Sequence, residues 1–143
     1  MIDIDGIGES LRCLIETNVT DFKMVRYEGD ERDENMTNMP YCDIQLRKMD
    51  PEVRAGNDYV VSATYIVTEI GLHLSSHREA ATIRNGLVTL AMNTIKANQR
   101  FDTDLETSKL GPAEFVSAKD EASNSFLALA TFEVDVLVFV NQL

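Results

Sequence analysis

Only two cysteines, Cys13 and Cys42, occur in 143 residues. One pair falls far short of the dense disulfide framework of a small secreted domain, so both are expected to be buried thiols in a reducing compartment. No apolar run approaches the roughly 18–20 residues of a membrane span. Residues 1–8 carry acids where a secretory leader needs bases, so no signal peptide is read there. Base is also scarce. Thirteen Lys and Arg stand against 24 Asp and Glu, a net charge of −11. That balance argues against a general nucleic-acid binder, which needs clustered Lys and Arg for phosphate. What is present is enough for a core: apolar residues make up 44% of the chain, which excludes wholesale disorder. The length suits one domain over residues 1–143.

The charge is uneven. Residues 28–35 (EGDERDEN) hold five acids against one arginine, a net −4. Residues 101–124 hold six acids against two lysines, again −4. Residues 75–100 set Arg78, Arg84, Lys96 and Arg100 against Glu79 alone, a net +3. A charge cluster is most often a solvated face. The sharper reading is that acidic and basic surfaces meet between copies, where complementary charge sets register. The candidate contact residues are Asp30, Glu31, Asp33 and Glu34 on one side and Arg78, Arg84, Lys96 and Arg100 on the other.

Hydrophobic periodicity orders the chain. Ile4, Ile7, Leu11, Leu14 and Ile15 recur at spacings of three and four and predict a helix over 4–19, capped by Asp3 or Asp5. Residues 21–27 predict a short strand, followed by the acidic loop. Cys42, Ile44 and Leu46 alternate with Asp43, Gln45 and Arg47, which predicts a half-buried strand over 41–47. Residues 59–70, rich in β-branched and aromatic side chains, predict a long strand. The two pair as an extended hairpin with the charged segment 48–58 at its tip. Ser76 and Glu79 form a capping box that opens a helix with Ala80, Ile83, Leu87, Leu90, Ala91 and Ile95 on its apolar face and Asn98 at its stop. Gly86 inside it points to close packing. Residues 113–118 and 126–140 predict two more strands. From Val136 to Val140 both faces of the last are apolar, so Val138 and Phe139 are candidates for burial by a second subunit. The order α-β-β-β-α-β-β implies an α+β fold: one mainly antiparallel sheet, two helices on one face and a long β-hairpin.

No phosphate loop, dinucleotide fingerprint or nucleophile elbow is present. His73 and His77 lie four apart, a spacing that ligates metal on a helix, but the capping box starts the helix at Ser76 and leaves His73 outside. Glu133 and Asp135 share a strand face. Paired carboxylates serve acid–base chemistry, and equally form the solvated side of an amphipathic strand. Asp102, Asp104 and Glu106 read as loop solvation. Met36 and Met39 suit gap-filling or adaptable contact. No catalytic, cofactor or metal site is expected.

Four phrases carry a family resemblance: PYCDIQL at 40–46, NDYVVSATYIVTE at 57–69, HREAATIRNGLVTLAMNTI at 77–95 and FEVDVLVFV at 132–140. With the element order and length, they resemble the tail terminator (tail completion, minor tail) proteins of long-tailed bacteriophages. The resemblance implies an N-terminal amphipathic helix, a long hairpin, a second helix and a return to the sheet. It also implies a homohexameric ring that caps the tail tube, ends its polymerisation and joins the tail to the neck. The implied partners are further copies of the chain, the tail tube protein, a neck or head–tail connector protein, and a sheath protein if the tail contracts. DNA would pass through the lumen without specific binding, no membrane would be involved, and the protein would sit in the virion after assembly in the host cytoplasm. Neck proteins of similar size share this pattern. A small α+β ligand-binding module and an enzyme built on Glu133, Asp135 or the histidines are the readings from other classes.

Overall fold

Two helices pack side by side on one face of a single six-stranded sheet. The computed structural model describes residues 3–29, 40–53, 58–73, 76–120 and 125–141. The elements are α1 (Ile4–Asn18), β1 (Met24–Tyr27), β2 (Tyr41–Val53), β3 (Asp58–His73), α2 (His77–Ala97), β4 (Leu105–Leu110), β5 (Glu114–Asp120) and β6 (Ser125–Asn141). The sheet runs β1-β2-β3-β6-β4, with β5 also on β6. Every pairing is antiparallel except β1 with β2, which is parallel over four residues. The α+β class, the two helices on one face and the long hairpin agree with the sequence reading. The sheet is mixed, and it holds one strand more than expected.

That strand is β4. Its sequence, LETSKL, carries an apolar residue only at its two ends, and only Leu105 and Ser108 are buried. An edge strand needs no more, and charge on it discourages pairing with other chains. β4 and β5 lie end to end along β6, opposite its residues 134–138 and 125–131 respectively. Between them the Gly111 N–H still donates to the Glu133 carbonyl at 2.8 Å. Pro112, which follows, has no N–H to offer.

Alternation along the three long strands builds the core. Cys42 and Ile44 of β2, Ala63, Tyr65 and Val67 of β3, and Ala130, Phe132, Val134, Val136 and Val138 of β6 face the helices. Ile7, Leu11 and Ile15 of α1 and Leu87, Val88, Ala91 and Ile95 of α2 close over them. Each such buried Val, Leu, Ile or Phe side chain stabilises the fold by roughly 1.5–3 kcal/mol before entropy is counted. The Tyr65 hydroxyl donates to the Ile4 carbonyl at 2.6 Å and ties the sheet to the start of α1.

Both helix starts form as their sequences direct. The Asp3 carboxylate accepts from the Gly6 N–H at 2.9 Å. The Ser76 hydroxyl accepts from the Glu79 N–H at 3.2 Å. Asn98 caps the far end of α2. The side of α2 that packs differs in detail from the expected stripe. Arg84 and Val88 are buried, whereas Leu90 is 46% exposed, because the sheet also takes the row that includes Arg84, Val88 and Ala91.

The hairpin reaches further than its sequence suggests. Segment 48–58, expected at the tip, is largely strand: β2 continues to Val53 and β3 starts at Asp58. A register shift between Leu46 and Lys48 leaves Arg47 as an extra residue. β1 accompanies β2 only as far as Ile44, so Pro51 sits where the outer edge has no partner strand among the described residues. The side chains of Arg47 to Pro51 are all exposed, so this part of β2 is an open sheet edge, although its β3 partners Ala63 and Val61 are buried.

Candidate subunit-contact surface

The capping box fixes the phase of α2, and the phase sorts its cations. Arg78 and Lys96 are 18 residues apart, five turns at 3.6 residues each, and therefore share one side of the helix about 27 Å apart. Both are exposed, as is Arg100 just beyond the helix, and none of the three makes an ion pair among the described residues. The exposed residues between them include Thr82, Asn85, Gly86, Thr89, Leu90 and Asn93. This side of α2 is therefore cationic at its ends and neutral in its middle, with Leu90 as its one large apolar group.

Arg84 points elsewhere. It is 8% exposed. Its guanidinium lies 5.0 Å from the Phe115 ring centroid, and Nη1 donates to the Val116 carbonyl at 3.3 Å and the Ser117 hydroxyl at 3.4 Å. Its charge is used inside the chain, to hold β5 to α2. Val138 is 3% exposed and belongs to the core of its own chain. The outward residue of that stretch is Leu137, which is half-buried. The Phe139 backbone pairs with Val60, and its side chain lies outside the described part, as do Asp30, Glu31, Asp33, Glu34, Met36 and Met39. Among the described residues, the acids at Asp104, Glu106 and Glu114 are exposed, and Asp102 accepts from the Ser10 hydroxyl at 2.6 Å.

Gly86 does not serve packing within the chain. A Cβ there would meet nothing within 4 Å. Close approach occurs instead at Gly71 of β3, where a Cβ would stand 3.0 Å from both the Ala80 carbonyl oxygen and the Arg84 nitrogen. The first turns of α2 rest directly on the sheet there.

The residues weighed for chemistry are spread over the molecule. The Glu133 carboxylate pairs with Arg47, and Asp135 accepts from the Thr64 hydroxyl at 2.6 Å. The His77 ring packs on Phe126 with centroids 5.9 Å apart, and His73 ends β3. Among the described residues no three His, Cys, Asp or Glu side chains group to hold a metal. No helix among them is long and apolar enough to cross a membrane. Cys42 is buried as expected, but Cys13 is exposed, because it lies on α1 away from the row of Ile7, Leu11 and Ile15. Two open clefts flank the helices. One of about 510 Å³ lies between the last turns of α2 and β4, with Met92, Lys96, Gln99 and Leu110 in its lining. One of about 420 Å³ lies along α1, lined in part by Cys13, Leu14 and Phe101.

Two buried polar features escaped the sequence reading. Arg26 and Asp43 form an ion pair at 3.2 Å on the sheet face away from the helices, each side chain about nine-tenths buried. Glu69 of β3 is 0% exposed, and neither carboxylate oxygen has a hydrogen-bond partner. The signal for Glu69 was its phase: it follows Ala63, Tyr65 and Val67 at steps of two, on the side that faces the helices.

No protein-family model matches this sequence, and no curated protein matches it.

Proposed function

We propose that the chain is a structural ring protein of a phage tail, which caps the tail tube, ends its polymerisation and joins the tail to the neck. The observation that carries this reading is the order and reach of the elements. An amphipathic helix, a long hairpin, a second helix and a return to the sheet are what the tail-terminator resemblance implies. A closed ring of identical copies uses two different surfaces of each protomer. The exposed cations of α2 at Arg78 and Lys96, with Arg100, supply one surface. The acidic segment 28–35 and the exposed acids of 101–124 supply the other. The exposed end of the hairpin, Arg47 to Pro51, suits contact with an adjacent ring or tube. Net acid around a lumen repels DNA and lets it pass.

Light scattering and electron microscopy of the purified chain test the reading. A ring, six-membered in the family resembled, is expected. A strict monomer at all salt concentrations, absent from particles, overturns it. Arg78→Glu with Arg100→Glu is expected to weaken assembly and leave the fold intact, since both side chains are exposed and neither makes an ion pair among the described residues. Localisation in the particle by antibody labelling separates a tail-tube cap from a neck ring.

A further inference from the structure

We propose that Glu69 is a proton-operated latch between α2 and the sheet: neutral, it lets the first turns of α2 lie on β3, and on losing its proton it drives them off. The proposal does not depend on the ring reading.

The argument begins with position. β3 is central and is hydrogen-bonded to β2 on one side and β6 on the other. Glu69 faces the helices between Cys42 of β2 and Ala130 of β6. Two residues on, Gly71 is in close contact with the backbone of α2 at Ala80 and Arg84. The carboxyl is therefore sealed beneath the N-terminal half of α2, with no hydrogen bond to either oxygen.

Beyond a small contribution from its own backbone N–H, nothing among the described residues compensates a charge there. β2 presents the Cys42 thiol, while Asp43 faces the opposite side and pairs with Arg26. β6 presents Ala130. The buried residues of α1, Ile7, Gly8, Leu11 and Ile15, carry no charge. α2 presents Ala80, Leu87, Val88 and Ala91, and its buried cation, Arg84, is turned onto β5. A carboxylate formed in such surroundings is far less stable than one in water. Burial accordingly raises the Glu69 carboxyl well above its usual range.

The element that yields is α2. Displacing β3 would break hydrogen bonds on both its edges, whereas the start of α2 meets β3 by van der Waals contact and its polar tie to the sheet is the Arg84 clasp on β5. Local opening draws on the least costly unit available. Water then reaches Glu69 and, beside it, Cys42.

Cys42 provides the readout. In a Cys13→Ser background it is the sole thiol, and its alkylation by iodoacetamide under native conditions is followed from pH 6 to 10. Because an exposed carboxyl ionises above about 4.5, the rate relative to the same chain carrying Glu69→Gln is expected to exceed one already at pH 6. It should then climb by up to about tenfold per pH unit once opening is tied to release of one proton. Glu69→Leu serves as the second neutral variant should the glutamine chain not fold. Hydrogen exchange of the unmodified protein gives an independent test: amides of residues 80–88 should lose protection with rising pH before those of β3 and β6. Parallel alkylation profiles for the Glu69 and neutral chains overturn the latch. So does protection lost evenly across α2, β3 and β6, which is global unfolding.

Discussion

The Arg84 guanidinium lies over the Phe115 ring, 5.0 Å from its centroid, and joins the middle of the sequence to the sheet edge. Among the described residues β5 is paired only with β6, and its residues Glu114 to Lys119 are all exposed, so this clasp is a principal tie on its open side. Arg84→Ala removes a cation–π contact and charged hydrogen bonds to Val116 and Ser117. A loss of ~2–3 kcal/mol is expected, seen as a lower urea midpoint. Arg84→Lys should recover only part, because an ammonium lacks the planar fork that stacks and donates at once. Limited proteolysis should cut first within 114–120 in the alanine variant. An unchanged midpoint would mean that the arginine contributes nothing to stability.

Two glycines should answer the same substitution with opposite signs. At Gly71 a new Cβ would press at 3.0 Å on two backbone atoms of α2, which cannot give way without moving the helix. Gly71→Ala is expected to cost ~1–3 kcal/mol, as overpacking does. At Gly86 a new Cβ enters open space on an exposed helix position. Gly86→Ala is expected to stabilise the monomer by about 1 kcal/mol, the difference in helix propensity. Thermal melts of the two variants under monomer conditions check both. If assembly of Gly86→Ala weakens while its melt improves, the outer side of α2 lies in a contact between copies.

What was legible in the sequence follows from which signals are local. The Ser76–Glu79 box, the Asp3 cap and the alternation of β6 are each written within a few residues, and each forms where the local pattern places it. β4 was illegible because an edge strand covered on one face needs few apolar residues; Leu105 and Ser108 suffice. The length of β2 was hidden by Met49-Asp50-Pro51-Glu52, which reads as a turn. Pro51 is tolerated only because β1 stops at the level of Ile44, a tertiary fact. Arg84 looked like a surface cation by composition, yet Phe115, 31 residues away, gives it an internal partner. The same limit applies to the contact surface: charge runs name its residues, but which of them face outward is decided by the phase of α2 against the sheet.

The two thiols should differ sharply in reactivity. Cys13 is exposed on α1, whereas Cys42 of β2 is buried in the core beneath the helices. Burial raises the Cys42 thiol well above its usual range, with Glu69 and Asp43 adding to the effect, so its reactive thiolate is scarce. One thiol per native chain, mapped to Cys13, should react promptly with a maleimide at neutral pH, and two after denaturation. Rapid labelling of both in the native chain would mean that the core around Cys42 is open.

Rising pH should destabilise the fold in two stages, and the signs follow from three raised groups. Burial lifts Glu69 above the ordinary carboxyl value of 4.5. Burial lifts Tyr27 above the ordinary phenol value of 10.0, aided by its hydrogen bond to Asp5 at 2.8 Å, and burial likewise lifts Tyr65. A group raised by folding holds its proton more tightly in the native state than in the unfolded chain. Its contribution is complete below the unfolded value and is lost as pH climbs toward the folded one. For Glu69 the loss therefore starts above about 4.5 and proceeds at up to about 1.4 kcal/mol per pH unit. For the tyrosines it starts only above about 10. Other carboxylates titrate in the same acid range, so the comparison that isolates Glu69 is with Glu69→Gln. The variant's melting temperature relative to the parent should rise steadily from pH 5 upward and level off once Glu69 is ionised in both states. The tyrosine stage should remain in both chains and diminish in Tyr27→Phe. A constant difference between parent and Glu69→Gln across that range would mean that Glu69 ionises as readily folded as unfolded, which its burial without a partner does not permit.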